Sequence, residues 1–356
     1  MTQEKPVSRA YADNPVDFVV VGLGMGRPRS KEILNTPGCR LVGVCDLDAE
    51  RARSIGEEFG VPWKTDLAAW LEEESVEVVF CLTPTGAHRP VCVQALSAGR
   101  HALTTKPMEA SLAACDEMLA AADAAGKMVA VDFEYRSYRR VQELKAAVDA
   151  GAFGRVLSAT AQLKVLRTDE YFQSNGGWRG TKEMDGGGAL SNQAIHNLDE
   201  VVYVLGAPDE VRCEIWTQNH SIEAEDLGIA TWHYADGKVV TFYATTCFPQ
   251  KTWYERLEIH GTEAAYSRAK GGPLKEETRW FVSGEWTERA PVAPERDWLN
   301  SMDNMAAAIR EGADLLCPGR EGRATQAVLD AMYRSAADGG VWTAVQASIP
   351  AAVRAR

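Results

Sequence analysis

Residues 16–26 read Val-Asp-Phe-Val-Val-Val-Gly-Leu-Gly-Met-Gly. An apolar run that stops on a glycine-rich turn opens a dinucleotide-binding βαβ unit. The run Asp17–Gly22 predicts a strand that is apolar on both faces, as parallel strands between helix layers are. Gly22 permits the tight turn. Gly24 lets the backbone approach a pyrophosphate seated on the N-terminus of the next helix. The fingerprint is irregular: Arg27 holds the third glycine's place, Gly26 comes one position early, and Pro28 follows. Proline suits a first helical turn, so a helix is expected from there, running through Ser30–Leu34. Gly22, Leu23, Gly24, Met25, Gly26 and Arg27 are the candidate pyrophosphate contacts.

Outward from this turn, strand candidates Arg40–Asp46, Val76–Thr83, His101–Thr104 and Lys127–Phe133 alternate with helical stretches Ala49–Phe59, Leu67–Glu73, Gly86–Ala98 and Glu109–Ala125. This alternation predicts a parallel, doubly wound sheet. Asp46 ends the second strand, 24 residues beyond Gly22. An acid there hydrogen-bonds the adenosine ribose hydroxyls and repels a 2′-phosphate, which favours NAD over NADP. Its alternative role is to cap the βα loop. Arg27 and Arg29 keep NADP open, because guanidinium groups suit phosphate. Thr83, Pro84 and Thr85 follow the next strand at the ligand edge, and His88 is read either as a cofactor contact or as a packing residue.

Beyond residue 136 the pattern changes. A helix is expected over Gln142–Ala150, then longer alternating runs over Val156–Val165, Glu210–Trp216, Gly228–Tyr234, Lys238–Thr245 and Trp253–Gly261. The turn Ala235–Lys238 joins two of them as a hairpin. These runs predict a large, mostly antiparallel open sheet, crossed by a helix over Gly188–Leu205 and closed by helices Trp298–Glu311 and Arg323–Ala337. Two domains follow: residues 1–136 for the cofactor, and 137–356 for substrate and assembly. A chain of 356 residues exceeds what one core serves.

Composition narrows the functions. A net charge of −12 disfavours nucleic acid as a partner. No run approaches the roughly 18 apolar residues of a membrane span. The first eighteen residues lack an apolar signal-peptide region and read as a polar, frayed lead-in, so a cytoplasmic location is expected. Eight cysteines without a CxxC pair read as reduced, buried thiols, with no metal site expected.

Two further segments carry chemistry. Thr83-Pro84-Thr85-Gly86-Ala87-His88 leads to Ala98-Gly99-Arg100-His101 and on to Thr104-Thr105-Lys106-Pro107. Later comes Gly186-Gly187-Gly188-Ala189-Leu190-Ser191-Asn192-Gln193-Ala194-Ile195-His196-Asn197-Leu198-Asp199, and then Glu258–Glu263. In order and spacing these segments resemble the glucose–fructose oxidoreductase / inositol dehydrogenase (Gfo/Idh/MocA-type) family over almost the whole chain. The resemblance implies a Rossmann domain followed by an α/β domain with a large open sheet. It implies hydride transfer between nicotinamide and a secondary hydroxyl of a sugar, sugar derivative or cyclitol. It also implies packing of the sheet face in a homodimer or homotetramer.

The residues agree with that chemistry. Oxidising a carbinol needs a base and a group that holds the developing alkoxide. Lys106 serves the second need or passes a proton, and Thr105 beside it borders the cofactor. His196 is the better acid/base, since its ordinary pKa lies near neutrality. Asn192 precedes it by four residues, on the same face of an expected helix. Asp199 either orients the imidazole or is a solvated residue. Trp178 and Arg179 are placed to stack on a sugar and bond its hydroxyls. Tyr135 and Arg136 end the last Rossmann strand at the ligand edge. Three departures from the family pattern stand out: Thr105 replaces a Glu, Asn192 an Asp, and Ala194 a Gly. An amide at 192 cannot act as a base, which leaves proton transfer to His196 and Lys106. Two alternatives remain open: an NAD-dependent glycosidase that oxidises, eliminates and re-reduces, and a non-catalytic NAD-binding protein.

Overall fold

The structure is a computed structural model that describes residues 9–249, 253–271 and 274–348. Strands β1 (Val16–Val21), β2 (Cys39–Cys45), β3 (Trp63–Lys64), β4 (Val78–Cys81), β5 (His101–Thr105) and β6 (Val129–Asp132) form one sheet in the order β3-β2-β1-β4-β5-β6. Every pair is parallel. This is the Rossmann order, and its direction reverses between β1 and β4. Gly22 and Thr83 follow those two strands, so the glycine turn and the Thr83 loop share one crevice. Every residue of β1 and β4 is buried, as the unbroken apolar runs require.

The helix after the glycine turn begins earlier than expected. It spans Leu23–Leu34 with Pro28 inside it. Leu23 drives the early start: its side chain packs into the cluster of Phe18, Val20 and Ile33. Gly26 lies in this helix, and a Cβ there would come within 2.8 Å of Val20. The close helix–strand packing that the third glycine serves is thus met one position early, and Arg27 is free to face solvent.

A second sheet contains β7 (Val156–Lys164), β8 (Glu210–Trp216), β9 (Leu227–His233), β10 (Val239–Thr245), β11 (Tyr254–Gly261), β12 (Ala264–Gly271), β13 (Leu274–Val282), β14 (Glu285–Thr287) and β15 (Thr343–Ala344). Its order is β14-β13-β12-β11-β7-β10-β9-β8-β15, antiparallel except where β7 meets β10. One face carries the helices Ile195–Leu205 and Gly319–Ala337. Ile195, Leu198 and Val201 from the first, and Val328, Leu329 and Met332 from the second, join Ala161, Leu163, Trp232 and Phe242 of the sheet in one core. The other face leaves Trp216, Ile229 and Val239 exposed.

Strands β12 to β14 do not stand out in the sequence. The inward positions of β12 are Ala264, Tyr266 and Arg268, so its apolar alternation is broken by a charge. Arg268 is buried against Glu200 at 2.5 and 2.7 Å, which neutralises its charge. The expected polar lead-in also differs. Residues 1–8 lie outside the described residues, but Arg9 and Tyr11 are buried, and both bond the carboxylate of Asp303. That carboxylate belongs to the helix Ser301–Glu311, whose Met302 and Met305 pack on the first sheet. The chain therefore returns to the first core near its end.

Arg136 and Asp199 occupy a different place from the one expected. Arg136 is 1% and Asp199 0% exposed. They form a two-pronged pair at 2.8 and 2.7 Å that ties the turn after β6 to the helix Ile195–Leu205. Thr325 donates a further bond to Asp199 at 2.8 Å. The pair is saturated, and among the described residues neither member bonds the imidazole of His196. Arg136→Met leaves a buried carboxylate unpaired and should cost about 3–5 kcal/mol in urea unfolding, while Arg136→Met/Asp199→Leu should regain most of it. Equal losses in the single and double variants would refute this account.

Candidate active site

Gly22 has φ 91°, and a Cβ there would sit 2.7 Å from the backbone carbon of Leu82. Only glycine lets β1 and the Thr83 loop approach so closely. A Cβ on Gly24 would meet nothing within 4 Å, so the first helical turn is open on the side where a pyrophosphate would lie. Met25 is 55% exposed on the same turn. Asp46 accepts from the Leu23 N–H at 2.7 Å and the Asp48 N–H at 2.9 Å. It caps the loop, as its alternative role proposed, and the half-exposed Arg51 guanidinium lies 3.4 Å from both of its oxygens. These residues fit a dinucleotide: an open glycine turn, a helix N-terminus and a fixed carboxylate. Arg27 pairs with Glu58 at the surface, and Arg29 with Glu32, Asp132 and Glu134.

Thr83, Pro84 and Thr85 line the crevice, with Thr85 buried. Its neighbour Gly86 donates to the Met184 carbonyl at 3.0 Å, which joins this loop to the segment before the glycine run. His88 is fully buried, which overturns its reading as a cofactor contact. Its Nε2 lies 3.0 Å from the Thr83 carbonyl, and Nδ1 lies 3.1 Å from that of Pro107. It ties the Thr83 loop to Lys106-Pro107, a cis bond. Half-buried Thr105 ends β5 beside them.

Lys106 follows β5 of the first sheet, and His196 lies on the helix that packs on the second, near enough for the Lys106 charge to act on its ring. Lys106 Nζ donates to the Asn192 carbonyl at 2.8 Å. Burial lowers the Lys106 amine below its ordinary value, against the raising effect of Asp185 and Glu134. His196 is held well below the ordinary histidine range by burial first, then by the charges of Lys106 and Arg29. Its Nδ1 is buried without a partner among the described residues. Tyr135 stacks on the ring at 4.8 Å, and Phe133 meets it edge-on at 6.1 Å. The Tyr135 hydroxyl donates to Glu255 at 2.8 Å. Tyr135 therefore backs the imidazole and has no hydroxyl free for substrate.

The expected continuous helix over Gly188–Leu205 is broken. Ala189–Gln193 is a π-turn, and the α-helix starts at Ile195. Single π-turns concentrate at functional sites, because they turn one side chain out of helical register. Here the turn presents Asn192, whose carbonyl reaches Lys106. Buried Glu225 holds the turn in place, accepting from the Gly188 and Leu190 N–H groups and from the Tyr333 hydroxyl.

Arg179 lies over the rings of Trp178 and Tyr171 at 4.8 and 4.9 Å, and Trp178 is half-buried. Both stand near Lys106, where the Arg179 charge is felt. Three participants were not found from sequence. Tyr171 donates to Asn192 Oδ1 at 3.1 Å, Arg167 Nε to Gln193 at 2.9 Å, and Asp185 accepts from Asn192 Nδ2 at 2.6 Å. His220 supports Arg167, spanning its carbonyl at 2.8 Å and Asp226 at 3.1 Å. Asp185 stands directly before the glycine run, a position that was readable. Arg167 lies in irregular chain and Tyr171 in the five-residue helix Asp169–Gln173, too short to show a period.

Comparison with known proteins settles the family. Residues 16–133 match the profile of the oxidoreductase family with the NAD-binding Rossmann fold, and residues 141–267 match the GFO/IDH/MocA C-terminal domain. The chain belongs to the GFO/IDH/MocA oxidoreductase family. D-apiose dehydrogenase of Paraburkholderia graminis is 26% identical over 85% of this chain and 82% of its own length. D-glucoside 3-dehydrogenase of Escherichia coli is 30% identical over 56% of each. The WlbA dehydrogenase from Bordetella pertussis, solved with NADH and UDP-GlcNAcA, superposes with a TM-score of 0.81 at 28% identity, covering 93% of this chain and 99% of that one. The glycine run Gly186–Gly188 leads directly into the π-turn that carries Asn192.

Burial pushes the Glu225 carboxyl up to about 7. The folded state thereby favours its protonated form, and this stabilisation is lost as pH rises from the ordinary carboxylate range through about 7. Asp185, pushed up to about 6, acts in the same sense. Glu225→Gln should lose less stability between pH 5 and 7.5 than the wild type in urea unfolding. An identical pH dependence would show that Glu225 titrates alike in both states.

Proposed function

We propose that this protein is an NAD-dependent dehydrogenase acting on a secondary hydroxyl of a sugar, sugar derivative or cyclitol. The observation that carries the reading is that Lys106, directly after β5, and His196, on the helix Ile195–Leu205, are held in one largely buried site. Bound NAD supplies the hydride acceptor. A neutral imidazole is equipped to take the hydroxyl proton. The Lys106 amine holds the oxygen as negative charge develops on it. Trp178 and Arg179 offer a stacking face and donors to a polyol. The dehydrogenase names of the relatives support a carbohydrate. We further propose that residues 137–356 carry the substrate, and that a second copy covers Trp216, Ile229 and Val239 on the open sheet. Among the described residues, no helix is long and apolar enough to cross a membrane.

A panel of monosaccharides, glycosides and inositols with NAD, followed by NADH absorbance, tests this reading. Turnover of at least one member is expected, and Lys106→Ala and His196→Ala should each lower kcat by roughly 10²–10⁴-fold. Undiminished turnover in both variants overturns the assignment of roles. Glycoside cleavage without NADH accumulation would point instead to the oxidation–elimination–reduction reaction.

NAD is proposed over NADP because the Asp46 carboxylate stands at the ribose edge, while Arg27 and Arg29 are engaged by carboxylates. Asp46→Asn keeps an acceptor and removes the charge. It should raise KM for NAD about tenfold, the worth of one charge-assisted bond, and narrow the gap to NADP. A preference unchanged by the variant would place discrimination elsewhere.

A further inference from the structure

Asn192 stands where the family motif has an acid, yet the site has not lost its negative charge. Asp185 is fully buried, seven residues upstream. One of its carboxylate oxygens accepts from the Gly180 N–H at 2.7 Å, and the other from Asn192 Nδ2 at 2.6 Å. Asn192 therefore bridges two charges: its side-chain amide bonds Asp185, and its carbonyl bonds Lys106. The amide's remaining oxygen is held by the Tyr171 hydroxyl and by Gln193. With Nδ2 on a carboxylate and Oδ1 on donors, the amide has one orientation.

We propose that Asp185 is a positioning residue of the hydride-transfer site: its buried carboxylate, locked to the Asn192 amide, supplies the negative charge opposite Lys106 that position 192 lacks. A carboxylate bonded directly to substrate would compete with His196 for the hydroxyl proton. Set one residue back, it keeps the ammonium form of Lys106 accessible in a desolvated site and leaves proton removal to the imidazole. The groups facing Asp185 are consistent with this. Lys106 and Arg179 approach as cations, and Tyr333 faces it from the helix Gly319–Ala337, with Glu225 beyond the tyrosine hydroxyl. Burial favours a protonated Asp185, while Gly180, Asn192 and the two cations oppose it.

The proposal rests on the dehydrogenase reading, but its test needs no substrate. Competitive acylation of Lys106 by acetic anhydride, read by mass spectrometry across pH in the full chain, reports the state of the amine. Asp185→Asn should lower the acylation midpoint by about one unit. NADH affinity, read by fluorescence titration, should stay within about twofold of wild type. On whatever substrate the panel identifies, kcat should fall about tenfold with its pH profile displaced in the same direction. Asp185→Glu keeps the charge and should hold the wild-type midpoint, and it decides the question alone if Asp185→Asn fails to fold. A wild-type midpoint in folded Asp185→Asn, or a midpoint lowered as far in Asp185→Glu, overturns the proposal. Failure of the dehydrogenase reading would show as a panel without turnover, with the acylation result still readable.

Discussion

A charged side chain taken out of water must find an opposite charge or give up its proton, and most of this architecture depends on where that demand is met. Arg136 with Asp199, Arg268 with Glu200 and Arg9 with Asp303 are buried pairs within hydrogen-bonding distance. Each joins elements distant in sequence: the turn after β6 to a helix of the second layer, that helix to β12, and the N-terminal segment to a late helix. Removing one member leaves the other unpaired in a low-dielectric interior, which is far costlier than removing both. Such pairs act as registration points between layers that apolar packing alone would leave free to slide.

The candidate active site breaks the pattern. Lys106 lies among burial, cations and the carboxylates of Asp185 and Glu134, and its bonded partner is a neutral carbonyl. His196 has a buried nitrogen with nothing to bond. An incompletely satisfied polar cluster costs stability, and natural folds accept that cost where chemistry requires it. The saturated pair Arg136–Asp199 lies on the helix that carries His196, so rigidity and reactivity are built side by side.

The parts legible in the sequence were those whose chemistry leaves a local signature. The glycine turn, Asp46, Lys106 and the run Gly186–His196 each join a backbone requirement to a reactive group within a few residues. The parallel strands were legible because they are apolar on both faces. What escaped depended on partners far away. Arg136 and Asp199 look like polar residues near a ligand edge until their pairing, 63 residues apart, is seen. Arg9 and Tyr11 read as a solvated lead-in because Asp303 is nearly 300 residues distant. Strand β12 hid because a buried ion pair interrupts its period. The π-turn at Asn192 had no periodic cue, since the apolar spacing of a π-turn and of an α-helix differ little over five residues.

Family membership fixes less about substrate than about scaffold, because the two are built from different chain. The Rossmann crevice consists of strand ends and glycine contacts that tolerate little change; a Cβ at Gly22 or Gly26 meets atoms closer than 3 Å. The wall opposite consists of the segment from Arg167 through Asp185, irregular but for the short helix Asp169–Gln173 and a 3-10 turn, and fastened at a few points: His220 on the Arg167 carbonyl, Asp185 on Gly180, and Gly86 on Met184. Between those fastenings, Tyr171, Trp178 and Arg179 sit on backbone that carries no strand of either sheet. Substitutions there can reshape the pocket without disturbing either core, as loops on a rigid scaffold permit. Selectivity among sugars is therefore expected to depend on this segment more than on either core.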